Sequence, residues 1–166
     1  YSAPVHDEKY SAAFLVKSVM DLKGIMDAYM FWCCSDVFEE LFILGKPFHG
    51  SYGIVSNDGI PKPNFWGFKM LSQLFPQRLD LPVTNKDVEY SVFVDGNKTQ
   101  ILLYAQDFDY EKDVKTDIEI SVNTTVHNVT KQVIDDTHCN PHQNTTNDRC
   151  HQWIMELELD LTGEFE

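Results

Sequence analysis

Positive charge is scarce in this chain. Its 166 residues include 13 lysines and arginines against 26 aspartates and glutamates, a formal net charge of −13. Nucleic acids are bound largely through lysine and arginine contacts to phosphate, and anionic membrane surfaces attract the same side chains. The composition therefore argues against a direct nucleic acid partner and against an anionic membrane surface, and it fits a soluble protein with a neutral ligand.

Long apolar runs are also missing, and none approaches the length of a membrane span. The first residues, Tyr1 to Pro4, include neither a methionine nor the basic stretch of a signal peptide. We therefore expect no membrane partner. We expect the chain to be a processed product or a piece of a longer protein. The compartment stays open, with the cytoplasm favoured over secretion.

Cysteines are few, and they suggest neither a dense disulfide framework nor a clear metal site. They are Cys33, Cys34, Cys139 and Cys150. The adjacent pair is interpreted as packed thiols, whereas Cys139 and Cys150 could form a disulfide across a loop. Four glycosylation sequons begin at Asn97, Asn123, Asn128 and Asn144. An Asn- and Thr-rich stretch produces such sequons by chance, and we favour that interpretation over glycosylation.

One group of residues has the chemistry of zinc ligands. It comprises His138, Cys139, His142, Cys150 and His151. The spacing of Cys139 and His142 suits zinc, but two adjacent ligands such as Cys150 and His151 are unusual in one tetrahedral site. We favour ordinary loop residues, with the disulfide as the next alternative, and predict no metal and no cofactor.

Residues 1–76 are rich in aromatic residues and predict the order helix, strand, loop, helix. Apolar residues recur at helical spacing up to Leu22, with Asp7 as a candidate N-cap and Gly24 as the stop. Residues 28–34 are a continuous apolar run, typical of a strand buried on both faces in a parallel sheet. A loop with four glycines leads to a second helix that ends at Pro76. Its expected apolar side contains Phe65, Phe68, Leu71 and Leu74.

Residues 77–166 alternate with a period of two and predict short antiparallel strands. Residues 90–94, a turn at 95–97 and residues 99–105 are typical of a hairpin. Further strands are predicted at 117–122, 126–134 and 153–159. Several such strands joined by turns indicate a β-sandwich.

The order of elements in the first half is also that of the last part of a (β/α)₈ barrel. Short motifs sharpen this likeness: Pro-Val-His-Asp at 4–7, Ala-Ala-Phe at 12–14, Phe-Trp at 31–32, Ser-Asp-Val-Phe-Glu-Glu at 35–40, Phe-His-Gly-Ser-Tyr-Gly-Ile at 48–54 and Ile-Pro-Lys-Pro at 60–63. In this order they resemble the C-terminal third of the family 39 glycoside hydrolase barrel, best known from β-xylosidases. The resemblance fades after residue 76, where the family implies a β-sandwich. The expected fold is therefore α/β plus all-β, with the last helix-strand-helix portion of a TIM barrel at 1–76 and an antiparallel sandwich at 77–166.

The resemblance implies that both catalytic carboxylates are missing here. In that family the nucleophile is a glutamate at the end of barrel strand seven, followed shortly by a segment like Tyr1 to Pro4, and the acid/base glutamate lies earlier. A retaining glycosidase needs both groups, about 5–5.5 Å apart. We therefore predict no catalytic residue in this chain and no activity for the chain alone.

The same resemblance implies sugar-binding residues. Trp32 matches a tryptophan of the family's sugar pocket, at the strand end that faces a barrel's active site. One glutamate of the Glu39–Glu40 pair contacts the sugar in the family, and Glu39 is preferred. His49 could reach the pocket, although we favour a structural role in the glycine loop, and Asp36 is expected to pin the loop. The alternatives are a packed core tryptophan and a solvated acidic loop.

Two functions of different classes are consistent with these residues. One is part of a β-xylosidase-like enzyme that binds a xylose-type sugar or a small oligosaccharide. The other is a non-catalytic sugar-sensing domain of an AraC-type transcription regulator, which the unusual Cys33, Cys34 and Ser51 mildly favour. The sandwich could brace the barrel in either. A lone barrel strand exposes apolar side chains, so we expect the chain to need the missing N-terminal barrel part or another copy as a partner.

Overall fold

A computed structural model describes residues 3–37, 47–81, 88–107, 109–110, 112, 117–122 and 125–144. The elements are a 3₁₀ turn at Pro4–Asp7, α1 at Lys9–Leu22, α2 at Pro63–Ser72, β1 at Gln77–Leu79, β2 at Glu89–Asp95, β3 at Lys98–Tyr104 and α3 at Pro141–Asn144. None of the helices in these ranges has the length and apolar character needed to span a bilayer.

The first predicted helix is confirmed as α1, but its predicted N-cap is wrong. Glu8 occupies the N-cap position without a side-chain capping bond, and Asp7 ends the preceding 3₁₀ turn. The carboxylate of Asp7 is buried and is engaged by Lys62 and by the amide of Gly50, so it is not available to cap the helix.

The second predicted helix is confirmed as α2, which packs against α1. Its buried face contains Asn64, Trp66 and Gly67, whereas the predicted Phe65 and Phe68 are only partly buried. A side chain at Gly67 would begin 3.4 Å from Leu15 of α1. The missing side chain lets the two helix backbones approach closely, and Trp66 is buried while Phe65 and Phe68 stay partly exposed.

The strand predicted at residues 28–34 is wrong. Met30 is 93% exposed and Trp32 is 67% exposed, and the segment has no regular strand. A doubly buried strand needs neighbours on both sides, and the described part of the chain offers one. That neighbour is residues 52–55, whose Ile54 donates a hydrogen bond to the Cys33 carbonyl at 3.1 Å.

The predicted hairpin is confirmed by β2 and β3, which pair in antiparallel register from Glu89 with Tyr104 to Asp95 with Lys98. Gly96 in the turn has a φ of +58°, which glycine adopts readily. A short strand that was not predicted, β1, pairs with β2 on its other edge. The sheet packs on α1 through a core that contains Val16, Met20, Phe93 and Tyr104.

The strands predicted at 117–122 and 126–134 are wrong, because both segments lack strand structure. Their alternating apolar residues are largely exposed: Ile118, Ile120, Val122, Val126 and Val129. Alternation produces a strand only where a neighbouring strand accepts its hydrogen bonds, and none is present in the part of the chain described here. The strand predicted at 153–159 lies outside that part. The domain boundary at residue 76 and the sandwich remain predictions.

Candidate functional site

A buried group of three charges joins the turn before α1 to the loops between α1 and α2. We call it the Lys62 triad, and it consists of Lys62, Asp7 and Asp36. The ammonium nitrogen of Lys62 lies 2.6 Å from an oxygen of each carboxylate. All three side chains are 2% exposed or less. Charges removed from water in this way are tolerated only when they are closely paired.

The second oxygen of each carboxylate in the triad accepts a backbone hydrogen bond from a glycine. Gly50 donates to Asp7 at 2.5 Å, and Gly53 donates to Asp36 at 2.7 Å. The prediction that Asp36 pins this loop is therefore confirmed. A Cβ at Gly50 would lie 2.6 Å from the Ala3 backbone, and one at Gly53 would overlap the backbone of Asp36, so only glycine permits these approaches.

The triad contains two carboxylates and one ammonium group. Burial raises the pKa of Asp36, and the hydrogen bond and charge of Lys62 oppose that rise. Low dielectric strengthens the attraction between these groups and also penalises any charge left without a partner. The triad can therefore anchor loops firmly, but no member is exposed enough to contact a ligand.

Trp32 lies on the segment that Asp36 anchors. The ring is 67% exposed, while the preceding Phe31 packs edge-on against Phe68 of α2. The following residue, Cys33, donates its amide to the Tyr52 carbonyl at 3.3 Å. Trp32 thus projects from a backbone held on both sides rather than packing in a core.

His49 lies in the loop that Gly50 anchors. Its Nε2 is 3.2 Å from Oδ1 of Asn57, and the neighbouring Phe48 is buried. Gly50 also accepts a hydrogen bond from the His6 ring at 2.7 Å. The structure thus places Trp32 and His49 on two adjoining segments, whereas Glu39 and Glu40 lie outside the described residues.

Two of the residues that join these segments, Lys62 and Asp7, were not predicted to do so from the sequence. Lys62 lies between two prolines, and Asp7 lies in the Pro-Val-His-Asp motif. The available signal was a lysine within an otherwise apolar stretch. Such a lysine, if buried, needs oppositely charged partners. The sequence offers no means of pairing it with carboxylates 55 and 26 positions away.

A second set of polar contacts fastens residues 135–142 to the start of α1. Glu8 accepts hydrogen bonds from His142 at 2.5 Å and from Asn140 at 3.1 Å, and Lys9 pairs with Asp136 at 2.7 Å. The Glu8 carboxylate raises the pKa of His142 against the opposing effect of burial.

The candidate zinc ligands do not assemble in the part of the chain that the structure covers. Among those residues, no three His, Cys, Asp or Glu side chains are grouped to hold a metal. His138 contacts Asp135 at 2.8 Å and His142 contacts Glu8, while Cys150 and His151 lie outside the described residues. Cys139 is a free thiol, and burial raises its pKa to about 11.

A small cleft lies elsewhere, between α2 and residues 132–139. Trp66, Lys69 and Cys139 are among its lining residues, and its volume is about 20 Å³. This is room for a water molecule or two and not for a sugar ring. Trp32 and its anchored loops are therefore the better candidate site.

Comparison with solved structures places the chain among glycoside hydrolases. A family 39 β-xylosidase from Caulobacter crescentus matches with a TM-score of 0.51 and 32% identity, over 61% of this chain and 23% of that one. The family 39 enzyme from Xanthomonas axonopodis pv. citri matches with a TM-score of 0.54 and 26% identity, over 65% of this chain and 21% of that one.

The family follows from the sequence comparison. Residues 1–148 match the model of glycosyl hydrolases family 39, and the chain belongs to that family. A β-xylosidase from Caldicellulosiruptor saccharolyticus is 34% identical over 101 residues, which are 60% of this chain and 21% of that protein. One from Geobacillus stearothermophilus is 37% identical over 71 residues, or 43% of this chain and 14% of that protein. The chain spans about a fifth or less of these relatives.

Proposed function

We propose that this chain supplies sugar-binding residues to a β-xylosidase-like retaining glycoside hydrolase, whose two catalytic glutamates are not among its residues. The ligand is a xylose-type sugar or a small oligosaccharide. The observation that carries the proposal is Trp32, whose ring is 67% exposed on a segment anchored by the Lys62 triad. Membership of the glycoside hydrolase family supports it.

The chemistry of the site suits a neutral sugar. The face of an exposed indole packs against the C–H groups of a sugar ring. Carboxylates accept strong hydrogen bonds from hydroxyl groups, which is the proposed role of Glu39, with Glu40 as the second choice. His49 is proposed to shape this side of the pocket, because it is held by Asn57 within the adjoining loop.

The proposed architecture is the last portion of a (β/α)₈ barrel followed by a β-sandwich. The family 39 structural neighbours support it. Residues 28–34 would form a barrel strand only where strands from outside the described residues flank them. In this arrangement the rest of the barrel covers the surface around Met30, or a second copy of the chain does so. The 93% exposure of Met30 supports such a partner, because an apolar side chain so placed gains most from being covered.

Substitution of Trp32 tests the sugar site. In the intact protein, we expect Trp32→Ala to weaken xylose binding by about tenfold, because loss of an aromatic stacking partner costs about 1.5 kcal/mol. Trp32→Phe should lose less. Tyr110→Ala is the matched control, since Tyr110 is also an aromatic residue, 59% exposed, and lies outside the proposed site. Binding is measured by a chemical-shift titration with xylose and xylobiose. Equal xylose affinities for Trp32→Ala and the native protein would show that Trp32 does not bind the sugar.

A sugar-sensing domain of an AraC-type regulator is the second candidate. The exposed thiol of Cys34, two residues from Trp32, is the structural observation that favours it, since it alters the surroundings of the proposed pocket. Hydrolysis of an aryl β-xyloside by the intact protein separates the candidates. Turnover identifies the enzyme, whereas xylose binding without turnover identifies the sensor.

A further inference from the structure

Lys62 is a fully buried charge, as is its partner Asp36, and it has no access to a ligand. Its side chain is 0% exposed, and its ammonium group also donates to the Ser51 carbonyl at 3.1 Å. Three acceptors from three separate segments therefore surround one nitrogen: Asp7 before α1, Asp36 after Trp32, and Ser51 beside His49.

The backbone of Lys62 links the same point to a rigid helix. Its amide donates to the Ile54 carbonyl at 2.9 Å, and its carbonyl accepts from Phe65 at 3.0 Å in the first turn of α2. Pro63 begins α2 and is fully buried. The position of the ammonium group is thus fixed relative to the packed helices α1 and α2. The ammonium group in turn holds the loops in place.

We infer that Lys62 is a positioning residue for sugar binding: through Asp7 and Asp36 it holds the segments of Trp32 and His49 in one relative geometry. The inference rests on the proposed sugar site and adds a determinant of its affinity. Asp36 carries the link to Trp32, because it lies four residues further along and binds the Gly53 amide. Asp7 carries the link to His49, because it binds the amide of the next residue, Gly50.

A suitable variant loosens the triad without leaving an unpaired buried charge. Asp36→Asn does so, because one carboxylate then remains for one ammonium group, and the neutral amide oxygen is a weaker acceptor for the Gly53 amide than the carboxylate. Lys62→Met is the stronger change and leaves two buried carboxylates. Lys17→Met is the matched control. Lys17 also lies between two carboxylates, Asp21 at 3.1 Å and Glu89 at 2.5 Å, but contacts neither loop.

The test is a chemical-shift titration of the intact protein with xylose, in which the midpoint gives Kd and the intensity of the dispersed signals gives the folded fraction. We expect Asp36→Asn to raise Kd by about tenfold, a coupling of the size seen between contacting residues, with the folded fraction unchanged. Lys17→Met should leave Kd unchanged. A lower folded fraction with an unaltered Kd in Asp36→Asn would overturn the inference, since a purely structural role lowers only the amount of competent protein.

Hydrogen exchange without sugar separates this inference from the proposed function. We expect the amides of Gly53 and Val55 to exchange faster in Asp36→Asn, while the amides of α1 keep their protection. If the native protein does not bind xylose but this exchange pattern is found, the sugar site fails and the anchoring of the loops stands. If xylose binds and exchange at Gly53 is unaltered, the positioning role fails alone.

Discussion

Two lysines in this molecule each lie between two carboxylates, and their surroundings differ. Lys62 contacts Asp7 and Asp36 with all three side chains 2% exposed or less. Lys17 on α1 contacts Asp21 and Glu89, which are 51% and 31% exposed, and is itself 26% exposed. The chemical groups are the same, but water reaches only the second cluster.

This contrast shows that burial determines how much stability is lost when one partner of an ion pair is removed. In water-exposed pairs, solvent screens the attraction, so the net gain is about 0–1 kcal/mol. In buried pairs, desolvation offsets much of the attraction, but the loss of either partner leaves a charge that nothing solvates. The Lys62 triad therefore enforces a geometry, whereas the Lys17 cluster adds a modest link between α1 and β2.

The largest expected effect compares the two lysines directly. Lys62→Met should lower the free energy of unfolding by about 4 kcal/mol, because two carboxylates lose their buried partner. Lys17→Met should lower it by less than about 1 kcal/mol. Urea unfolding followed by circular dichroism measures both. Equal shifts in the two unfolding midpoints would show that burial does not separate the clusters.

Glycines sharpen the same comparison between the anchored loops and the hairpin. Gly53→Ala should cost about 3 kcal/mol, since the new methyl group would overlap the backbone of Asp36. Gly96→Ala, in the hairpin turn, meets no atom within 4 Å and should cost about 1 kcal/mol from its φ of +58° alone. Thermal unfolding of both variants provides the check. A Gly53→Ala protein as stable as Gly96→Ala would contradict the tight fit at the triad.

The smallest effect concerns the half-exposed contact between His142 and Glu8. The pKa of His142 is raised in the folded state, so the contact contributes fully below the unfolded pKa of about 6.5 and is lost as pH rises through the folded pKa. His142→Gln should therefore lower stability by about 1 kcal/mol or less at pH 5.5 and by still less at pH 9. Urea unfolding at the two pH values tests this. His138→Gln is the control, because His138 does not contact Glu8. A loss of stability in His142→Gln that grows with pH would contradict a raised pKa for His142.

Local patterns in the sequence predicted the elements whose stability is local. Helical spacing located α1, prolines bounded α2, and a glycine turn between alternating residues located the β2–β3 hairpin. Each of these signals acts over a few residues. Short motifs in series also identified the family correctly.

The predictions that failed depended on distant partners. The apolar run at 28–34 predicts a strand with a neighbour on each side, but the described residues supply only one neighbour, at 52–55. The alternation at 117–122 failed for the same reason. The burial of Lys62 was not predicted, because its partners Asp7 and Asp36 are remote in sequence. The roles of Trp32, Glu39, Glu40 and His49 remain predictions.

The unequal exposure of two tryptophans has a spectroscopic consequence. Trp32 is 67% exposed and Trp66 is 5% exposed. Iodide in solution therefore reaches the first indole and not the second, and emission from Trp32 lies at longer wavelength because water relaxes around it. With Trp153 replaced by phenylalanine, the quenchable fraction of the fluorescence reports directly on Trp32. Any sugar or polypeptide that covers that ring removes the quenchable component without a chemical label.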